Sequence, residues 1–256
     1  MSMTMATKSE AAMTTADPYV GLTITAFEGG ITTRIITHPK HPSRVFAYEV
    51  TFLLQHPRVV QVATQKPPLH FHPYQEEYLQ IVEGRLAVEV EGVESVLGPD
   101  DGEFCLRPWS NHRLYAPTVA EKEGDVDSGT GTGTGSEKTV FLLSGQYTDA
   151  AFRLDTVFFE NWYAYQDQIV VQGEKVDLVQ VLSMFDAGGS YLSLPWWVPL
   201  GRTISRALGI VVGRWIGGLL GYQPFYRKWT TDWESACRKM EMSIFQRRFA
   251  DRAKTA

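Results

Sequence analysis

Cysteine is nearly absent. Cys105 and Cys237 are the only two in 256 residues, and they lie far apart. So spaced, they exclude a disulfide framework and a cysteine-rich zinc site, and they suit a reducing compartment. Positive charge is not in excess either: 24 Lys and Arg stand against 29 Asp and Glu, for a net charge of −5. Nothing in that balance favours nucleic acid, which calls for a basic patch, and no helix-turn-helix or basic DNA-binding segment is legible. The opening stretch MSMTMATKSEAAMTTADP lacks the continuous apolar run of a signal peptide. Its Ser, Thr, Ala and Met content reads as a disordered tail over residues 1–18. The expected location is the cytoplasm, with or without attachment to a cytosol-facing membrane.

What is present is apolar and aromatic: 44% of the residues are hydrophobic and 12% aromatic, enough for one domain with a sizeable extension. Residues 19–150 read as β-rich. VFAYEVTFLL (45–54), RVVQVAT (58–64), EYLQIVE (77–83), RLAVEVEG (85–92), EFCLRP (103–108) and TVFLLSG (139–145) are short strand-like runs separated by turn residues. That spacing indicates a sandwich or barrel; a parallel sheet would need helical crossovers between the runs. The Gly/Thr stretch at 120–138 cannot bury apolar surface and reads as a flexible loop inserted between two strands.

Beyond residue 150 the period changes. DTVFFENWYAYQDQIV, KVDLVQVLSMFD and WESACRKMEMSIFQRRFADRA carry helical spacing. In the last, Trp233, Cys237, Met240, Ile244 and Phe245 fall on one face, with Thr231 and Asp232 placed for N-capping. Residues 151–256 are therefore expected to form a helical extension.

Only six histidines occur, and two of them sit in HFHPYQEEYLQIVEG, residues 70–84. On a strand, His70 and His72 project to the same face. Glu77 opens the next run, with Leu79 and Ile81 on its own side. If those two point inward, so does Glu77; Glu76 as the inward carboxylate would turn Leu79 and Ile81 out. Two imidazoles and a carboxylate converging on an interior suit a first-row divalent metal. A further ligand must come from another strand, and His112 in RPWSNHRLY is the candidate.

The spacing of His70, His72, Glu77 and Gly84 resembles the first motif of the cupin superfamily, and Gly102, Pro108, Ser110 and His112 resemble its second. The second match departs from the usual form: the proline-to-histidine spacing is one residue short, and Ser110 stands where glycine is common. The resemblance covers about residues 40–148. It implies a mainly β, RmlC-like jelly-roll barrel (a double-stranded β-helix). It also implies one divalent metal held by His70, His72, Glu77 and His112, with positions left open for substrate or oxygen. The favoured ion is Fe(II), with Zn, Mn or Ni as alternatives. The chain is also similar to single-barrel fungal cupins that accompany biosynthetic genes. The expected function is a metal-dependent, dioxygenase-like oxidoreductase acting on a small hydrophobic molecule in secondary metabolism. The alternatives are a non-redox metal-dependent isomerase, dehydratase or cyclase, and a cupin that binds a small ligand without turning it over.

The other candidates read more plainly. His38, His41 and His56 fall in proline-rich turns and are expected to be solvated. Tyr74, Arg107 and Trp109 flank the ligands in sequence and are candidates for the barrel mouth. Cys105 is expected in the core, with no neighbour that would activate it. Residues 193–229 hold an apolar run broken by Arg214, too short for a bilayer span without it. Trp196, Trp197, Trp215 and Trp229 with flanking Arg and Lys suit a membrane-interface helix. Gly213, Gly217, Gly218 and Gly221 suit close helix packing instead. The partners expected are thus a small-molecule substrate, no nucleic acid, a membrane interface through 193–229, and a second copy in a homodimer.

Overall fold

The computed structural model describes residues 18–63, 65–117 and 136–253. The expected tail (1–18) and the centre of the Gly/Thr loop (120–138) lie outside them, except for Pro18 and residues 136–138. Eleven strands form two antiparallel sheets among the described residues. The first sheet runs in the order β1 (Thr23–Ala26), β2 (Ile31–Ile35), β3 (Phe46–Leu53), β10 (Lys138–Gly145), β5 (Glu77–Glu83), β8 (Glu103–Leu106). The second runs β11 (Tyr191–Leu192), β4 (His70–Phe71), β9 (His112–Tyr115), β6 (Leu86–Val90), β7 (Val93–Leu97). One apolar core joins Leu79 and Ile81 of the first sheet to Leu86 and Val88 of the second. Two sheets closed over a shared core, with strands far apart in sequence laid side by side, are the expected jelly-roll.

The alternation of β5 sets the inside. Glu77, Leu79 and Ile81 are buried, while Tyr78 and Gln80 are only partly so. Burying a Leu or Ile completely contributes about 1.5–3 kcal/mol, so parity fixes the register. The turn into β6 needs a glycine: Gly84 has φ +75°, and a Cβ there would lie 2.5 Å from the Lys138 carbonyl oxygen.

One expected strand is a helix. RVVQVAT contributes to α1 (Pro57–Val62), because His56 caps it through Nδ1, accepting from Arg58 N, and Pro57 opens its first turn. Its valines do not form a buried strand face; only Val59 is buried. Cys105 is also corrected. On β8 the alternation turns Leu106 inward and leaves Cys105 exposed, so it is not a core residue.

After residue 150 the helices are α2 (Thr156–Val170), α3 (Leu178–Ala187), α4 (Gly201–Leu220) and α5 (Trp233–Glu241). Asp155 caps α2, and Asp232 caps α5 as expected. Helix α5 is shorter than its spacing suggested. Trp233, Cys237 and Met240 are buried, but the chain leaves the helix after Glu241 and exposes Ile244 and Phe245. Phe158, Phe159, Val181 and Phe185 of α2 and α3 share the barrel's core, and Tyr191–Leu192 completes an edge of its second sheet. We therefore propose that barrel (19–150) and extension (151–256) are segments of one folding unit.

Candidate metal centre

Strand pairing brings the expected residues together. His70 and His112 are register partners across β4 and β9. Glu77 sits at the start of β5, opposite Leu106 and Gly145. The three imidazoles form a near-regular triangle: ring centroids are 4.6 Å apart for His70–His112 and 5.0 Å for both His70–His72 and His72–His112. One nitrogen from each lies within 4.8 Å of the others. Glu77 Oε2 lies 3.1 Å from His112 Nε2 and 3.6 Å from His72 Nε2. His72, Glu77 and His112 are almost wholly buried; His70 keeps partial access.

Each ring is held by its outer nitrogen. His70 Nδ1 donates to the Pro68 carbonyl at 3.1 Å, His112 Nδ1 donates to the Ser110 carbonyl at 2.8 Å, and His72 Nδ1 bonds Ser190 Oγ at 2.9 Å. Carbonyl oxygens only accept, so Nδ1 of His70 and His112 carries a proton and Nε2 of the neutral ring is a lone pair. That lone pair on His112 faces the Glu77 carboxylate, and two acceptors at 3.1 Å require something positive between them, a proton or a cation. His72 Nε2 is buried with no hydrogen-bond partner, a costly state for a ring nitrogen unless something binds it. Outer anchoring with inner lone pairs is how metal-ligating histidines are oriented, and the donor set fits a divalent ion.

Electrostatics agree in direction. Burial, then the neighbouring His112 and His72, hold the His70 imidazole well below its usual range. Burial likewise lowers His72. Burial works against ionised Glu77, but the neighbouring His112 and His72 outweigh it and hold the carboxyl well below the usual carboxylate range. Neutral imidazoles beside an ionised carboxylate are the forms that coordinate metal.

The cluster lies in the wall of a cavity of about 580 Å³ that His70, His72 and Glu77 line. The rest of the wall is largely apolar, with Phe52 and Phe141 from the barrel and Phe158, Phe159, Trp162 and Phe185 from α2 and α3. Tyr163 and Gln166 of α2 are among the polar residues that line it, and burial pushes the Tyr163 phenol up. Neither Ser190 nor the helical wall left a signal in the sequence, since Ser190 meets His72 across 118 positions.

The remaining expectations divide. Tyr74, Arg107 and Trp109 do not line the cavity: Trp109 stacks on Phe71 at 5.5 Å, and Tyr74 lies under Arg206. His38 is buried rather than solvated, its Nδ1 accepting from the backbone N–H of Lys40 and His41. His41 stays half exposed and His56 caps α1; neither reaches the cluster.

No protein-family model matches the chain. Curated relatives do. The probable oxidoreductase yanE of Aspergillus niger is 45% identical over 234 residues, 90% of this chain and 84% of its own. The oxidoreductase macE of Penicillium terrestre is 44% identical over 235 residues, 89% of this chain and 84% of its own. The epoxidase atD of Aspergillus terreus is 39% identical over 186 residues, 72% of this chain and 53% of its own. Among solved structures, an RmlC-like cupin from Shewanella frigidimarina aligns with 49% of this chain and 85% of its own at 17% identity and a TM-score of 0.30. That score is too low to bear weight, and the fold rests on the strand pairing above.

Proposed function

The chain belongs to the family of fungal oxidoreductases that includes yanE and macE, and from that membership we propose that it is a metal-dependent oxidoreductase of small apolar molecules. One observation carries the metal: three imidazoles anchored through Nδ1 converge with the Glu77 carboxylate on one point in a cavity wall. His70, His72, Glu77 and His112 are the residues that would hold it. Three nitrogens and one oxygen without thiolate suit iron or manganese, and we propose Fe(II). When bound, that ion supplies a redox centre for oxygen chemistry on an organic substrate, of which the epoxidation named for atD is one form.

The chain's own part is positioning and exclusion. The aromatic walls displace water and favour an apolar substrate beside the cluster. Tyr163 and Gln166 are the groups available to hydrogen-bond a substrate oxygen and fix its orientation. Pro68, Ser110 and Ser190 keep the histidine rings from turning. We assign the step to secondary-metabolite biosynthesis in the cytoplasm.

The test is turnover of small apolar aromatics and polyketide-like compounds by protein loaded with Fe(II) or Zn(II), with and without oxygen. The proposal expects products carrying one or two added oxygen atoms, or oxidised by two electrons, only with iron and oxygen. Turnover that survives without oxygen would convert the reading to a non-redox isomerase, dehydratase or cyclase. Binding with no change in substrate mass would make the protein a binding module.

A further inference from the structure

Helix α4 is built the opposite way from a helix that faces water. Ser205, Gly209, Gly213 and Gly217, four residues apart, are its buried positions. A Cβ on Gly213 would lie 2.4 Å from the Leu182 carbonyl oxygen, so α4 runs in backbone contact with α3. Arg214 fixes the seat, donating from Nε at 2.6 Å and Nη2 at 2.9 Å to the wholly buried Asp186. The large residues face out. Leu200, Ile204, Leu208, Val211, Trp215 and Leu219 recur at steps of four and three, the stripe of an amphipathic helix, and all six are exposed. Leu200 sits in left-handed backbone (φ 54°) and is 78% exposed. Trp196 and Trp197 stand just before it, 95% and 69% exposed. At the far end, Ile244 and Phe245 extend the patch where Phe245 abuts Gly218. A contiguous apolar face of this extent marks a binding surface.

Charge says what covers it. Between Asp186 and Asp232 the chain has no acidic residue, in a protein whose net charge is −5; of the basic residues there, Arg214 is taken up by Asp186 and Arg202 by Glu91, which leaves Arg206, Arg227 and Lys228 as the basic flank. Exposed Arg247 and Arg248 follow the patch. Exposed tryptophans, a leucine-rich stripe and basic flanks are the features of a helix lying in a lipid interface. A two-fold pairing of this face with itself would bring the like-charged flanks together. The helix has the length and composition to cross a bilayer, but one side is fastened to β11 through Ser205 and to α3 through Gly213 and Arg214, so it lies along a surface.

Part of the cavity rim adjoins the C-terminal end of α4. Val176 and Leu178 both line the cavity and are exposed, which puts them on its rim together with Ala63, Gln65, Lys66 and Pro68. The Val176 and Leu178 side is tied to the end of α4: Tyr222 Oη donates to Asp177 Oδ2 at 2.8 Å, and Val179 packs where Gly217 lacks a side chain. We infer that the outer face of α4 and the Met242–Arg248 segment dock on an anionic lipid surface. This side of the cavity rim then lies next to that surface, and an apolar substrate partitions into the cavity from the bilayer. Docking rests on the surface alone; delivery of substrate rests on the proposed function.

The experiment is flotation of the full-length, metal-loaded protein with phosphatidylcholine vesicles, with and without phosphatidylserine. Tryptophan emission and metal content are read alongside. Wild type is expected to float with the phosphatidylserine vesicles and to shift its emission to the blue. Leu219→Glu, and separately the pair Trp196→Ala and Trp197→Ala, should weaken binding by at least about tenfold with metal content unchanged. These side chains are exposed, so the fold should tolerate both changes. Three results overturn the inference. In the first, wild type binds neither vesicle. In the second, the variants bind as wild type does. In the third, sedimentation shows a dimer that Leu219→Glu dissociates, which would make the partner a second copy. Failure to float with metal content intact leaves the oxidoreductase reading standing.

Discussion

His70 and His112 are partners across two strands that lie some forty positions apart, with ring centroids separated by 4.6 Å. The β4–β9 ladder sets their spacing, so barrel pairing brings these two rings together. Changing both, His70→Ala with His112→Ala, is expected to abolish metal content and turnover. The barrel should remain folded on Leu79, Ile81, Leu86 and Val88, so circular dichroism should be unchanged.

His38→Ala makes the contrast. His38 accepts two backbone N–H groups and is buried. Its loss should cost about 1–2 kcal/mol of stability in urea denaturation while metal content stays at the wild-type level. Loss of metal in this variant would place the ion elsewhere.

Ser190→Ala removes the group that holds His72 Nδ1 at 2.9 Å. The ring keeps its inner nitrogen but loses its anchor. Metal affinity should fall by about 10- to 100-fold, read by competition with a fluorescent chelator. An unchanged affinity would mean that the serine has no part in orienting the ring.

Parity on β5 was legible because Leu79 and Ile81 declare the inside, and Glu77 shares their side. His112 was legible from its place at the start of a strand-like run, where His38 lies in a proline-rich turn, and the motif resemblance pointed to the same residue. Ser190 and the helical part of the aromatic wall were not legible: Ser190, between α3 and β11, meets His72 across 118 positions, the wall comes from α2 and α3, and no local period encodes such contacts. The segment 58–64 misled because Val-rich runs suit strands, whereas a histidine cap and an N-terminal proline decided for helix. In 193–229, the glycines and the large residues supported opposite readings. The structure buries Gly213, Gly217 and Gly218 against the protein, as the packing reading expected, and leaves Trp215 and Leu219 exposed.

Asp186→Ala leaves Arg214 without its carboxylate in a largely buried setting. Breaking such a pair should cost about 3–5 kcal/mol, visible as a lower urea midpoint with an unchanged slope. A loss within about 0.5 kcal/mol, the level of ordinary surface substitutions, would show that Arg214 can turn to solvent and that α4 is less firmly seated than its contacts indicate.

Gly84→Ala places a methyl against the Lys138 carbonyl at a φ of +75°. Backbone conformation alone should cost about 1–2 kcal/mol, and the clash adds to it. Thermal unfolding should fall by several degrees while metal affinity per folded molecule is retained.

The most direct measurement is an anomalous difference map at the iron edge, from crystals of the protein grown without oxygen in the presence of Fe(II). The account predicts one strong peak among His70, His72, Glu77 and His112. An absent peak would contradict it. So would a peak at another histidine–carboxylate group, such as His38 and His41 about Glu103, whose contacts are 3.6 and 3.9 Å.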